Sequence, residues 1–402
     1  MEHRVSRFLV AAEQSYQRHL GAYLSRSSYE RMCRSPGVID LAFGDPHERP
    51  APRLVELLQR GLEPRSPDWF AYTRDHVPAQ RAIAERLATE LRKPFIPDDI
   101  ALTNGAFAGL VVCLRTICEP GDEVLHLTPG WFYYESMISS AGGTPRAVRL
   151  AAGEWRLDPD RIAAAITPRT SALIINTPHN PTGVVYSKEE LAALADVLAE
   201  ASHRRGQPIY LISDEAYRRI VFDGVSCPSP GEFYSYTLLV HTYTKSLLLP
   251  GERIGYIAIP PGMPDRQFMR DALTTARLMT GWAFPNNALQ YAAPELDCHT
   301  IAVPPLQHRR DILAKGFVAA GFRALPSHGT FYMLVEVPDG DDWDHVSRLE
   351  GCGVLALPGS VMGAPGYLRL SLTATDDMVD EASGRVRSLY GDLLRSRSDV
   401  HG

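Results

Sequence analysis

The sequence predicts an α/β fold: a large domain with a mainly parallel, doubly wound sheet and a small α+β domain drawn from both chain ends. Three observations predict it. From about position 95, short β-rich runs alternate with helical patterns. The runs are near-continuously apolar, as strands buried on both faces of a parallel sheet must be. After about position 300 the texture changes, and strands and helices become mixed over a shorter span.

Taken in order, the stretch before position 45 is helix-like and is expected to act as an arm that joins the small domain. The runs "IALTNG", "EVLHLTPG", "SALIINTPHNPTG", "PIYLISDEAY", "TLLVHTYTK" and "RIGYIAIP" follow as strands of the large domain, assigned to 46–298. Between the third and fourth, Ser187 and Glu190 form an S-x-x-E capping box ahead of "LAALADVLAEASHRR", and Gly206 stops the helix. Strand, capped helix and strand make a βαβ unit. The remainder, 299–402, holds "LQHRRDILAKGFVAAG", "GTFYMLVEVP", "VLALPGSVMG", "YLRLSLTA" and a last helix. No internal repeat or low-complexity tract interrupts the chain.

Composition narrows the function classes. The 402 residues are 45% hydrophobic and 22% charged, as in globular enzymes with more than one core. A formal net charge of −6 without a basic face argues against nucleic acid as partner. No window approaches the roughly 18 apolar residues of a membrane span, and the start "MEHRVSRFLVAAEQSYQRHL" lacks the apolar core of a signal peptide. The six cysteines are scattered without a Cys-x-x-Cys pair, so free thiols are expected and no metal site. A cytoplasmic location follows as the expectation.

Chemistry concentrates at predicted strand ends, where doubly wound folds hold their ligands. "YTKSLLLPGERIGY" sets Lys245 among apolar and hydroxylated neighbours, with Arg253 further on; burying an ammonium is costly unless it is paired or neutral. "NTPHNPTG" carries Asn180, "SDEAY" carries Asp214 and Tyr217, and "YLRLSL" carries Arg369. Taken singly, each has an ordinary structural explanation: a Pro-rich turn, an N-cap, a core aromatic, a solvated lysine, an outward-facing arginine. Together they match what a carbonyl cofactor acting as electron sink requires. Such a group needs a lysine for a Schiff base and an acid to keep its ring nitrogen protonated. It also needs donors to its ring oxygen, a phosphate clamp and an arginine for a substrate carboxylate.

"HNPTG", "SDEAY", "TKSLLLPGERIGY" and "YLRLS", in this order and spacing, resemble the fold-type I pyridoxal-phosphate enzymes, specifically the class I/II aminotransferases similar to aspartate aminotransferase. The resemblance runs from about position 38 onward. It implies that pyridoxal 5'-phosphate is bound by Lys245, which then acts as general acid and base. It further implies that Asp214 pairs with the pyridine nitrogen and that Asn180 and Tyr217 bind the ring hydroxyl. Thr242 and Arg253 would hold the phosphate with the backbone of Gly105, Ala106 and Phe107 in "TNGAFAGL", a strand-to-helix turn. Trp131 in "LTPGWFYYE" would stack on the ring, and Gly44, Trp131, Asn180 and Arg369 would surround the substrate. Tyr72 in "FAYTRDH" matches a tyrosine sent across the interface of a homodimer with shared active sites.

Three departures accompany the match. Phe107 replaces a hydroxyl or amide side chain, "YTRDHVP" lacks the usual glycine after the tyrosine, and Thr242 and Thr244 replace serines. The implied reaction moves an amino group between an L-amino acid and a 2-oxo acid through a Lys245 aldimine, a quinonoid and pyridoxamine phosphate. An alternative is γ-elimination or replacement on S-adenosylmethionine, because Pro-Gly-x-Arg after the lysine also resembles 1-aminocyclopropane-1-carboxylate synthases; a remoter one is a non-catalytic aminotransferase-like binding module. For substrate choice, Arg74 and Arg277 are candidate partners of a second carboxylate, though solvated surface positions are expected for both. Asp45, Glu48 and Asp75 near the mouth would instead favour a cation.

Overall fold

The computed structural model describes residues 5–398. Its centre is a seven-stranded sheet of β1 (Ile100–Thr103), β2 (Glu123–Thr128), β3 (Thr144–Arg149), β4 (Thr170–Asn176), β5 (Tyr210–Asp214), β6 (Thr237–Thr242) and β7 (Gly255–Ala258). The strands lie in the order β1-β7-β6-β5-β4-β2-β3. All neighbours are parallel except β7, which runs antiparallel to both β1 and β6.

Both faces of this sheet are covered. One face packs Leu110, Val124, Ile174, Leu238 and Ile257 into a cluster with the helices Gly105–Ile117 and Arg266–Met279. The other packs Leu125, Leu173 and Leu211 against the helix Lys188–Arg205. That helix starts and stops as its residues predict: Ser187 Oγ accepts from Glu190 N–H, the Glu190 carboxylate accepts from Ser187 N–H, and Gly206 closes it at φ +69. Burial on two faces is why β4 is apolar from end to end. The edge strand β3, "TPRAVR", is mostly solvated and carries no such signature.

The C-terminal part is a four-stranded antiparallel sheet, in the order Leu357–Pro358, Tyr367–Ser371, Tyr332–Glu336, Arg323–Ala324. The helices Val303–Ala319, Asp342–Gly351 and Asp376–Ser398 accompany it. Chain-start residues enter the same core: Ile39–Asp40 pairs in parallel with Val354–Leu355, and Leu20, Tyr23 and Leu41 are buried among Leu355, Leu368 and Leu370. The helix Arg7–Tyr16 instead lies on Tyr134–Ser140, where Ser15 Oγ donates to Glu135 Oε2 at 3.1 Å.

Candidate active site

The carboxyl ends of β1, β4, β5 and β6 converge on one cavity of about 300 Å³. Register sets its floor: Asn176 stands opposite Asp214 as the last pair of β4 and β5, and Asp214 stands opposite Val240 of β6. After β6 the chain makes a single helical turn, Tyr243–Ser246, capped by Thr242 Oγ1, which accepts from Thr244 N–H at 3.2 Å. Tyr243 pins the turn by donating to Asp297 Oδ1 at 2.6 Å. Lys245 is thereby aimed into the cavity, its Nζ 5.3 Å from the Phe331 ring centroid. It forms no ion pair among the described residues.

Asp214 is buried below it. Desolvation pushes its carboxyl up to about 6, while the Tyr134 hydroxyl, the Ala216 N–H and the Lys245 charge oppose the rise. Tyr134 donates to Asp214 Oδ2 at 2.8 Å, and Ala216 N–H donates to Oδ1 at 3.2 Å. Asn176 Nδ2 donates to the Asp214 carbonyl at 2.8 Å, and Asn176 Oδ1 accepts from Asn180 N–H at 2.7 Å, so the strand end itself orients Asn180.

Two guanidinium groups border the cavity without a carboxylate partner among the described residues. Arg369, only 1% exposed, donates to Asn180 Oδ1 at 3.2 Å and to the Ala42 carbonyl at 2.7 Å, and lies 3.8 Å over the Tyr332 ring. Its Nε is buried with no acceptor. A buried cation held only by neutral groups calls for an anion. Arg253 donates to Thr244 Oγ1 at 3.2 Å and to the Pro250 carbonyl at 2.9 Å. It faces Gly105, which opens the helix Gly105–Ile117 at φ +78; a Cβ there would meet Arg253 Nη2 at 2.9 Å. Helix N–H groups, a guanidinium and the Thr242 and Thr244 hydroxyls thus surround an anion-sized hollow.

Pyridoxal phosphate fits this arrangement. The hollow at Gly105 suits a phosphate, the buried carboxylate of Asp214 suits a pyridinium N–H, and the unmatched Nε of Arg369 suits a substrate carboxylate. The cavity brings together Gly44, Ala106, Phe107, Trp131, Asn180, Asp214, Tyr217, Thr242, Lys245, Arg253 and Arg369. Gly44 is needed for room, since a Cβ would lie 2.3 Å from Phe331 Cε2 and 2.5 Å from the Tyr332 hydroxyl.

Tyr72 does not reach the cavity of its own chain: it is 88% exposed and packs on Phe284, centroids 5.0 Å apart. Three charge readings need correction. Arg277 is no surface arginine; it is buried, donating through Nη1 and Nη2 to the two oxygens of Asp75 at 2.7 Å each. Asp75 is consumed by that pair and by Leu102 N–H, and Glu48 accepts from Arg309 at 2.7 Å, so neither lines the cavity. Asp45 does line it. Sequence reasoning missed Tyr134, Asn176, Phe43 and Tyr332 on its walls. Asn176 opens "NTPHNPTG" and Tyr134 lies in "WFYYE", but only strand register and helix packing single them out.

Fold and cavity together define a cofactor-dependent transferase of the pyridoxal-phosphate type. The family model "Aminotransferase class I and II" matches residues 36–386, and the chain belongs to that family. The aspartate/prephenate aminotransferase of Thermus thermophilus is 33% identical over 322 residues, covering 78% of this chain and 80% of that protein. The aspartate aminotransferase of Thermotoga maritima is 29% identical over 368 residues, covering 90% and 92%. Among solved structures, an aminotransferase from Eubacterium rectale superposes with TM-score 0.84 at 27% identity, covering 97% of this chain and 96% of that one. The N-succinyldiaminopimelate aminotransferase of Mycobacterium tuberculosis gives 0.82 at 26%, covering 96% and 100%.

Proposed function

We propose that this cavity moves an amino group from an L-amino acid to a 2-oxo acid, with Lys245 as the residue that holds the cofactor and carries the proton. The observation that carries the assignment is the convergence of Lys245 and buried Asp214 between two guanidiniums that have no carboxylate partner among the described residues. Pyridoxal phosphate, when bound, supplies an electron sink for the pair left when the substrate Cα–H bond breaks.

The chain's own residues do the rest. Arg253, Thr242, Thr244 and the N–H groups of Gly105, Ala106 and Phe107 would hold the phosphate. Asp214, kept ionised by its two donors and by the cation opposite, would hold a proton on the ring nitrogen. Asn180 would offer its amide nitrogen and Tyr217 its hydroxyl to the ring oxygen, and Trp131 would cover the ring face. Arg369 would fix the substrate carboxylate, so that the Cα–H bond presents itself to Lys245 Nζ. Lys245 Nζ, as a free amine, would take that proton and hold it for return.

The assembly that completes this reading is a homodimer in which Tyr72 reaches the partner subunit's phosphate hollow. Its support is the set of exposed apolar side chains Phe70, Tyr72, Met279, Trp282 and Phe284 in the two neighbouring segments. Domain limits at 1–45, 46–298 and 299–402 are supported by the pairing of Ile39–Asp40 with Val354–Leu355. The elimination reading gains nothing: the relatives reported above all carry aminotransferase names. The cytoplasm suits a chain in which, among the described residues, no helix is long and apolar enough to cross a membrane.

The test is a single half-reaction. Holoenzyme mixed with an amino acid and no acceptor should release one equivalent of the matching 2-oxo acid and then stop until an acceptor is added. Release of methylthioadenosine from S-adenosylmethionine instead would replace transamination by elimination.

A further inference from the structure

The walls of the cavity also bear on which amino acid enters it, an inference that rests on the aminotransferase reading above. Its cationic residues are Lys245, Arg253 and Arg369. Arg253 belongs to the phosphate hollow, and Arg369, with its free Nε, is left for the α-carboxylate. The remaining wall is aromatic, made by Phe43, Phe107, Trp131, Phe132 and Tyr332, and the acid at its edge is Asp45. A second carboxylate on the substrate would therefore be desolvated against aromatic rings, with a like charge nearby and no further counter-charge among this chain's described cavity residues.

Of the two arginines weighed for such a carboxylate, one is engaged elsewhere and the other stands outside this chain's cavity. Arg277 is locked to Asp75 behind β1, and Arg74, outside the cavity, lies 3.7 Å from the same carboxylate. Phe107 is the most telling wall residue. It stands in the first turn of the helix Gly105–Ile117, meets Trp131 and Tyr133 edge-on at 5.5 and 5.3 Å, and yet remains 38% exposed. An aromatic edge held in water at the mouth of a cavity gains when an apolar group covers it.

We propose that this enzyme takes amino acids with bulky, uncharged apolar or aromatic side chains, that it rejects dicarboxylic donors, and that Phe107 is a specificity-determining residue. This departs from the aspartate-named relatives while keeping their chemistry.

The test uses the holoenzyme in two independent readouts. In half-reactions, kcat/KM for phenylalanine or leucine should exceed that for aspartate by at least about 30-fold, the scale one misfitted side chain commands in a pocket. In binding, followed by displacement of the cofactor absorbance or by calorimetry, 3-phenylpropanoate should bind more tightly than succinate. Phe107→Lys should shift both ratios toward the dicarboxylate, whereas Phe107→Leu should keep them apolar. Arg74→Ala should leave them unchanged.

Aspartate or succinate preferred by the wild type would overturn the proposal. So would lysine or ornithine preferred over phenylalanine, which would make Asp45 the determinant, and so would a loss of aspartate turnover in Arg74→Ala. Should no donor react while 3-phenylpropanoate still outbinds succinate, the cavity assignment stands and the transamination reading falls.

Discussion

Tyr134 donates its hydroxyl to Asp214 Oδ2 at 2.8 Å, tying the first turn of the helix Tyr134–Ser140 to the last residue of β5. Both side chains are buried, and the tyrosine is held protonated by burial and by the carboxylate it faces. The contact therefore has a fixed direction: the tyrosine gives, the carboxylate accepts. It leaves the other oxygen of Asp214 to the Ala216 N–H and favours the ionised form of an acid that burial would otherwise protonate.

Tyr134→Phe removes that donor with little change of shape. A hydrogen bond to a charged group contributes about 1.5–3 kcal/mol, so the affinity of apoenzyme for pyridoxal phosphate should fall at least about tenfold at pH 7. The loss should deepen toward pH 6, as Asp214 protonates more readily. Fluorescence titration of apoenzyme across that range is the measurement, and an affinity unchanged at both ends would remove Tyr134 from the site.

Asp214 makes the apoprotein's stability depend on pH in a definite sense. Its folded value, about 6, lies above the usual 3.8, so ionising it opposes folding. That penalty is absent below about pH 3.8, grows as pH rises, and is complete above about pH 6. Asp214→Asn should therefore stabilise the apoprotein at pH 8 by up to ~3 kcal/mol, at 1.36 kcal/mol per pH unit, and leave it unchanged at pH 4. The same variant should bind the cofactor poorly. Urea unfolding at the two pH values would show it, and equal gains at both would contradict the burial argument.

Lys245→Ala should abolish the visible absorbance of the reconstituted enzyme, since no other lysine lines the cavity. A variant that kept the absorbance would mean that another amine holds the cofactor.

Arg369→Ala should raise KM for the amino acid by about 10- to 100-fold, the scale of one charge-assisted, two-pronged contact. Arg369→Lys should not restore it, because an ammonium cannot span Asn180, the Ala42 carbonyl and a carboxylate at once. Steady-state kinetics decide the point.

Arg277→Ala leaves Asp75 buried in part without its cation and should cost about 3–5 kcal/mol of stability. Donor preference should not move, because the pair lies outside the cavity. Thermal unfolding and the phenylalanine-to-aspartate ratio separate the two effects.

Local chemistry made much of this molecule legible from its residues alone. The capping box at Ser187, the apolar strand "SALIIN" and the hydroxyl-rich turn around Lys245 each carry a signal whose physics lies within a few residues. The edge strand β3 does not, because solvent covers most of it and period-two burial never marks its side chains. Arg74 is the chain neighbour of Asp75 and Arg277 lies 202 positions away, yet only packing puts the distant one in the interior with that carboxylate.

The amino-acid sequence by itself pointed to the fold class and the kind of cofactor, and it singled out the polar residues from Asn180 to Arg369 that share one cavity, since those residue types in that order match the needs of one cofactor. Tertiary structure alone decided that Tyr134 and Asn176 set Asp214 and Asn180 in place, that Arg277 is paired in the interior with Asp75, and that aromatic rings line the cavity shared by Lys245 and Arg369. The reason is physical: a strand end or a helix turn encodes its own hydrogen bonds, but desolvation and charge pairing depend on which distant residues fold against it.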